Sequence, residues 1–288
     1  MNKVAICIIS KGMNQYLIEW VEHYKSLGFD KIIFYDNDFD DEIINNKGQY
    51  IIIKSYIDEG FIIYYNWKNK KSSTLQRDAY KDYMQKHKND FDYTLFTDSD
   101  AFLDVKKYGN IKNFLLKNSK KFEKFEGIAI SIVTYGDNGL VHNDGRPLKE
   151  RFKISLKSKR NNETFNTIVN HHKCRNKVGS VHHPFSSKLC DIYGREIEKS
   201  VVSSLIMEIK PHVVIRHYTF RTIEEFLYRI KRGEVNGRRT KLNYEQSVHF
   251  NLKRFFRYNK ITFEKIECIY KYLKNESTNE IRKILEKK

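Results

Sequence analysis

Residues 93–103 read Tyr93-Thr94-Leu95-Phe96-Thr97-Asp98-Ser99-Asp100-Ala101-Phe102-Leu103. An apolar run ends in two carboxylates spaced i, i+2, and apolar residues resume at once. In an extended chain, residues two apart point to the same side. Asp98 and Asp100 are therefore expected to face one solvent-filled point beyond the end of a buried strand. Two carboxylates that close repel unless a cation lies between them. A hard divalent ion carrying phosphate oxygens suits the position, because such ions are held by one or two carboxylates plus the substrate phosphates. The stretch points to a metal–nucleotide site.

Spacing alone does not identify it, since Asp-x-Asp recurs at Asp36/Asp38, Asp38/Asp40 and Asp90/Asp92. Asp90 and Asp92 precede the strand and read as a solvated turn. Asp36, Asp38 and Asp40 resemble the start of a calcium loop. The sixth position of that loop is Asp41 instead of glycine and the twelfth is Lys47 instead of glutamate, which excludes an EF-hand.

Working outward, residues 4–9 form a continuous apolar run, the mark of a strand covered on both faces. From Asn14 to Leu27 the pattern is helical, with Leu17, Trp20, Val21, Tyr24 and Leu27 on one stripe, Asn14 as N-cap and Gly28 as the stop. Lys31–Tyr35 reads as a strand, residues 51–57 are apolar but ambiguous, and Phe61–Tyr65 reads as a strand. A helix capped by Ser72 or Ser73 runs to about Lys88. Such alternation predicts a mixed, mostly parallel α/β sheet, whose ligands bind beyond the carboxyl ends of strands. Asp36 and Asp98 both lie at such ends and are expected to share a crevice. Farther on, Gly127–Thr134 and Pro211–Tyr218 read as strands, Tyr135–Lys149 as a Gly-rich loop and Thr222–Arg232 as a short helix. From Tyr244 the chain is helical and basic. The expected division is a domain over 1–233 and a helical C-terminal extension over 234–288.

The chain of 288 residues is long enough for one substantial core. No apolar stretch reaches the roughly 18 residues that span a bilayer, and the opening run is too short for a signal segment. Cys7, Cys174, Cys190 and Cys268 are scattered, which suits reduced thiols and a cytoplasmic location. The formal charge of +17 favours anionic partners: nucleotide phosphates, acidic glycans or lipid headgroups. Abundant Lys, Asn, Ile, Tyr and Phe with scarce Pro also reflect an AT-rich coding background. His171, His172, Cys174, His182, His183 and Cys190 match no standard zinc spacing.

Several segments carry a family pattern. They are Tyr16-Leu17-Ile18-Glu19-Trp20 with His23-Tyr24 and Leu27-Gly28; Ile33-Phe34-Tyr35-Asp36-Asn37-Asp38; Gln76-Arg77-Asp78-Ala79-Tyr80; and Phe96 to Leu103. Tyr135-Gly136-Asp137-Asn138-Gly139, His182-His183-Pro184, His217-Tyr218, Glu224-Glu225-Phe226 and Lys231-Arg232-Gly233 extend it. Across about residues 3–233 the chain resembles GT-A glycosyltransferases of the family 2 and family 92 group.

The resemblance implies a GT-A-like, Rossmann-like domain that transfers a sugar from a nucleotide donor, a UDP-sugar, to a glycan or lipid-linked glycan in surface-polysaccharide assembly of the lipopolysaccharide or capsule type. By the same resemblance Asp36 would lie near the nucleoside and Asp98 near ribose or metal. Asp100 and His217 would complete the shell of a manganese or magnesium ion. Gln76 and Arg77 would face the phosphates, Lys11 would keep a nucleotide contact, and Asp137 would be the general base of an inverting displacement. His183-Pro184 falls on the acceptor side. One departure stands out: family members often carry Lys-Asn-Glu where this chain has Lys11-Gly12-Met13.

The basic, aromatic-rich segment Lys253-Arg254-Phe255-Phe256-Arg257-Tyr258 suits peripheral contact with an anionic membrane at its inner face. Two alternatives remain. One is a nucleotidyl- or phosphotransferase using the same metal–nucleotide site. The other is a non-catalytic basic protein binding membrane or nucleic acid, of which nucleic acid is the less expected partner.

Overall fold

The computed structural model describes residues 2–38, 48–68, 72, 74–156, 164–197, 212–232 and 244–273. Its strands are β1 (Val4–Ser10), β2 (Lys31–Asp36), β3 (Ile62–Asn66), β4 (Tyr93–Phe96), β5 (Ala101–Asp104), β6 (Gly127–Thr134), β7 (Phe165–Asn170), β8 (Leu189–Cys190), β9 (Glu196–Ile197) and β10 (Val214–His217). Helices are α1 (Leu17–Ser26), α2 (Gln49–Ile52), α3 (Lys54–Asp58), α4 (Leu75–His87), α5 (Ile111–Lys117), α6 (Ser119–Phe122), α7 (Leu148–Arg151), α8 (Ile223–Arg232), α9 (Tyr244–Tyr258) and α10 (Phe263–Leu273).

The strands form a mixed α/β sheet in the order β3-β2-β1-β4-β7-β6-β10-β5, with β8 beside β6 and β9 beside β8. β3, β2, β1 and β4 run parallel. β4–β7, β7–β6 and β10–β5 are antiparallel. All seven residues of β1 are buried, as its unbroken apolar run requires of a strand covered on both faces. Each large aliphatic side chain there contributes about 1.5–3 kcal/mol by leaving water.

Strand order reverses between β1 and β4. The chain winds outward from β1 to β3, then crosses back over α4 to place β4 on the other side of β1. Such a reversal opens a crevice at the carboxyl ends of the two central strands. The ends here are Ser10 and the residues following Phe96, so the topology itself delivers Asp98 to the ligand-binding edge.

Helix α1 forms as its stripe predicts. Leu17, Trp20, Val21 and Tyr24 are buried, and Gly28 ends the helix at φ 79°. Asn14 does not cap it with its side chain; a 3-10 turn over Asn14–Tyr16 leads in instead. The ambiguous segment 51–57 is helical, because Ile53 and Tyr56, three apart, are its buried residues. Ser72 serves α4 indirectly, its hydroxyl donating to Asp78 at 2.7 Å, while Ser73 lies outside the described residues.

The domain boundary differs from the expected one at 233. One unit comprises Met1–Val133 and Lys157–His217; the other comprises Thr134–Leu156 and Tyr218–Lys288. The cause is the apolar stripe of α8. Ile223, Phe226 and Leu227 share a core with Val248, Leu252, Phe255, Phe256 and Ile269, so α8 belongs with the C-terminal helices. Thr222 and Glu225 start α8 with a capping box. The Thr222 N–H donates to Glu225 Oε2 at 3.2 Å, and the Glu225 N–H donates to Thr222 Oγ1 at 3.2 Å.

Candidate functional site

The chain leaves β4 at Phe96 and turns tightly, the Ala101 N–H donating to the Asp98 carbonyl at 3.2 Å. It re-enters the sheet as β5, which pairs antiparallel with β10 so that Ala101 stands opposite His217. This register carries His217 to the carboxylates. Its Nε2 lies 3.1 Å from Asp100 Oδ1 and 4.0 Å from Asp98 Oδ2. One ligand atom each from Asp98, Asp100 and His217 falls within 4.8 Å of the others. Among the described residues no other His, Cys, Asp or Glu trio converges in this way, and the histidines and cysteines of 171–190 make no such group.

Two carboxylate oxygens and an imidazole nitrogen suit a hard or borderline divalent ion. Asp98 keeps 39% of its side chain exposed while Asp100 keeps 11%. One carboxylate is thus embedded and the other reaches outward, leaving room for further oxygen ligands. The residues fit a divalent cation of the manganese or magnesium kind.

Backbone groups of β5 leave the strand on the side away from β10, and α1 satisfies them. Trp20 Nε1–H donates to the Ala101 carbonyl at 2.9 Å and the Tyr24 hydroxyl donates to the same oxygen at 3.0 Å. Tyr24 also accepts from the Leu103 N–H at 3.1 Å, and His23 Nε2 lies 2.7 Å from the Leu103 carbonyl. Ala101 and Leu103 are two apart, so their polar groups leave the same edge. The sheet edge next to the carboxylates is thereby closed by aromatic side chains and fixed in place. This explains why Trp20, His23 and Tyr24 accompany the acidic pair in the sequence pattern.

Gln76, on the inner side of α4, reaches the site directly, its Nε2 lying 3.2 Å from Asp98 Oδ1 and 3.0 Å from the Tyr80 hydroxyl. Arg77, the next residue, stays exposed on α4.

At the ends of β1 and β2 the side chains interlock. Asp36 is fully buried. Its Oδ1 accepts from the Asp38 N–H and from Gln49 Nε2, both at 2.9 Å, and its Oδ2 accepts from the Tyr64 hydroxyl at 2.7 Å. Gln49 in turn accepts from the Ser10 hydroxyl at 2.5 Å. Asp36 therefore organises the strand ends that flank the crevice. Lys11 is buried just beyond β1, and Gly12 follows at φ 59°. Left-handed backbone is open chiefly to Gly and Asn. Gly12 is a residue type that adopts this conformation without strain.

Asp137, expected as a base, lies in the second unit. It is buried, pairs with the buried Lys265 ammonium, and accepts from the Gly139 N–H at 2.9 Å. Its own N–H donates to Asn259 Oδ1 at 2.9 Å.

Other residues enter the site without having been singled out as site residues. Asn166 on β7 donates to Thr97 Oγ1 at 2.6 Å, and its Oδ1 lies 3.5 Å from His182 Nδ1. Burial holds the His182 imidazole below its ordinary value against the pull of the Asp98 carboxylate, with His217 and His183 adding to the lowering. His183 stacks on Phe165 with ring centroids 6.0 Å apart. The His182-His183-Pro184 triplet was the sequence signal for this corner.

A curated relative, a glycosyltransferase family 92 protein of Ricinus communis, is 23% identical over 185 residues, covering 60% of this chain and 32% of that protein. The chain thus spans about a third of the length of the curated relative it matches. Two crystal structures of S. aureus TarS are similar. One, at 12% identity and a TM-score of 0.36, covers 94% of this chain and 49% of that one. The other, of TarS 1–349 in complex with UDP-GlcNAc, is at 13% identity and a TM-score of 0.38, covering 94% and 81%. The glycosyltransferase family 92 model matches residues 2–196, from β1 through β8 and including Asp98 and Asp100 but stopping short of His217. On that match, the chain belongs to glycosyltransferase family 92.

Proposed function

We propose that this protein transfers a sugar from a nucleotide donor, a UDP-sugar, to a hydroxyl of a glycan or lipid-linked glycan. The observation that carries the reading is the convergence of Asp98, Asp100 and His217 at a strand-order reversal. Asp98, Asp100 and His217 would hold a manganese or magnesium ion. Bound there, the ion supplies positive charge where the diphosphate leaves. Gln76 steadies Asp98 through its amide. Lys11 and the interlocked ends of β1 and β2 would flank the nucleoside, with Asp36 shaping that wall from within. Arg77, exposed beside Gln76, would approach the phosphates. Inversion at the anomeric carbon is the stereochemistry this reading expects.

The proposal extends to surface-polysaccharide assembly at the inner face of an anionic membrane. Phe250, Lys253 and Arg257 support that extension, being exposed along one side of α9 at spacings of three and four. No helix among the described residues is long and apolar enough to cross a membrane.

A screen of nucleotide sugars for manganese-dependent hydrolysis tests the reading without knowledge of the acceptor. Release of UDP from one sugar nucleotide, abolished by a chelator, supports it. Turnover of nucleoside triphosphates with no turnover of any sugar nucleotide overturns it in favour of a nucleotidyl- or phosphotransferase.

A further inference from the structure

Glycosyl transfer to a hydroxyl calls for a group that takes up the proton of the attacking oxygen. Asp137 is poorly suited to this task. Its carboxylate is buried and held by the Lys265 ammonium, so it presents no free face to an acceptor hydroxyl. The first unit contains another titratable group beside the cluster that is not one of the three converging ligands. It is His182.

A chain of side chains connects His182 to the acidic turn. Thr97, the residue before Asp98, accepts from Asn166 Nδ2 at 2.6 Å, and Asn166 Oδ1 faces His182 Nδ1 at 3.5 Å. Because Asn166 Nδ2 is the donor to Thr97, its oxygen is the atom turned to the imidazole, and Nδ1 is the nitrogen that carries hydrogen. Nε2 is then the nitrogen left with a lone pair. The backbone of His182 is fixed as well, its carbonyl accepting from Thr167 Oγ1 at 2.8 Å. The charged and titratable groups that bear on the ring are Asp98, His217 and His183. Burial, the largest influence, disfavours the charged ring, while Asp98 and a hydrogen bond to the Phe165 backbone oppose it.

We propose that His182 is the general base of the transfer, positioned by Asn166, an inference that rests on the glycosyltransferase reading above. The acceptor O–H proton passes to Nε2. The oxygen's electron pair forms the bond to the anomeric carbon, and the bond from that carbon to the diphosphate oxygen breaks with its electrons on the leaving group. In donor hydrolysis, water takes the acceptor's place and the balance is the same.

The test uses the full chain, the UDP-sugar that it hydrolyses best, and manganese. His182→Gln is expected to melt within a few degrees of wild type and to bind UDP with manganese within about threefold. Its hydrolysis should fall by at least about 100-fold, the lower range for loss of an acid–base group. The wild-type rate should rise with pH through the His182 transition, because the neutral ring is the active form, and this acid limb should vanish in His182→Gln. Asn166→Asp sets a carboxylate against the ring, which favours the charged form, and should move the limb to higher pH. Turnover of His182→Gln above a third of wild type, equal losses of UDP binding and turnover, or an acid limb unmoved by Asn166→Asp each overturn the assignment while leaving the metal site standing. Wild-type protein that neither binds UDP with manganese nor hydrolyses any sugar nucleotide overturns the underlying reading and this inference with it.

Discussion

His217 Nε2 stands 3.1 Å from Asp100 Oδ1 although 117 residues separate them in the chain. The antiparallel pairing of β10 with β5 is what brings them together, since it sets His217 opposite Ala101. A one-residue slip in that register would turn the imidazole to the other face of the sheet. His217→Gln should therefore keep the fold and weaken manganese binding. The loss should be no smaller than the about 10–100-fold that removal of an outer-shell partner costs. Titration of manganese with UDP present measures it.

The Tyr24 hydroxyl is used twice, as donor to the Ala101 carbonyl and as acceptor from the Leu103 N–H. Tyr24→Phe leaves the ring packed and removes both bonds at a buried position. The Ala101 carbonyl keeps its bond from Trp20, so the expected cost is about 1–3 kcal/mol for the stranded Leu103 N–H, read as a lowered melting temperature. Manganese affinity should fall with it, because the strand that begins one residue after Asp100 is no longer braced.

Asp137 and Lys265 form a buried ion pair, with neither side chain more than 5% exposed. Removing one partner leaves the other charge buried alone. Asp137→Asn should cost about 3–5 kcal/mol, whereas joint replacement, Asp137→Leu with Lys265→Met, should recover most of it. Thermal unfolding of the single and double variants distinguishes this structural role from that of a catalytic base, whose loss would spare stability.

Burial by itself would raise the Glu126 carboxyl. The backbone N–H groups of Ser187 and Lys188, with Arg175 and the Ser187 hydroxyl, instead hold it at about 2 against an ordinary 4.5. Its folded pKa is depressed, so the stabilisation is full above the unfolded value and is lost as pH falls from about 5 towards 2. The difference amounts to on the order of 3 kcal/mol. Glu126→Gln should melt lower than wild type at pH 7, and the gap should close as pH falls through this window. Because Glu126 ties down residues 187 and 188, just beyond His182 and His183, the same substitution should loosen that side of the site.

The parallel half of the fold and its acidic turn were legible because their signals are local. An unbroken apolar run predicts a covered strand, as in β1, and the i, i+2 carboxylates follow the apolar end of β4 directly. β7 was missed: Phe165-Asn166-Thr167-Ile168-Val169-Asn170 is wholly buried, yet three of its six residues are polar. Its burial depends on partners such as Thr97, which no window of sequence reveals. His217 was reachable only through family resemblance, since the β5–β10 register is a long-range fact. Asp36 is legible as a strand-end acid, but its enclosure by Gln49 and Tyr64 comes from α2 and β3, whose packing against β2 no local pattern states. The division into two compact units is hidden in the sequence for a similar reason. The stripe of α8 announces a helix without stating which core receives it.

The account rests on Asp98, Asp100 and His217 holding a divalent ion that in turn holds a nucleotide diphosphate. Calorimetric titration of manganese into wild-type and Asp100→Asn protein, with and without UDP, measures this directly. The account predicts one saturable site in the wild type, tightened by UDP, and its loss in an Asp100→Asn protein of unchanged thermal stability. Equal manganese and UDP binding by the two proteins would contradict it.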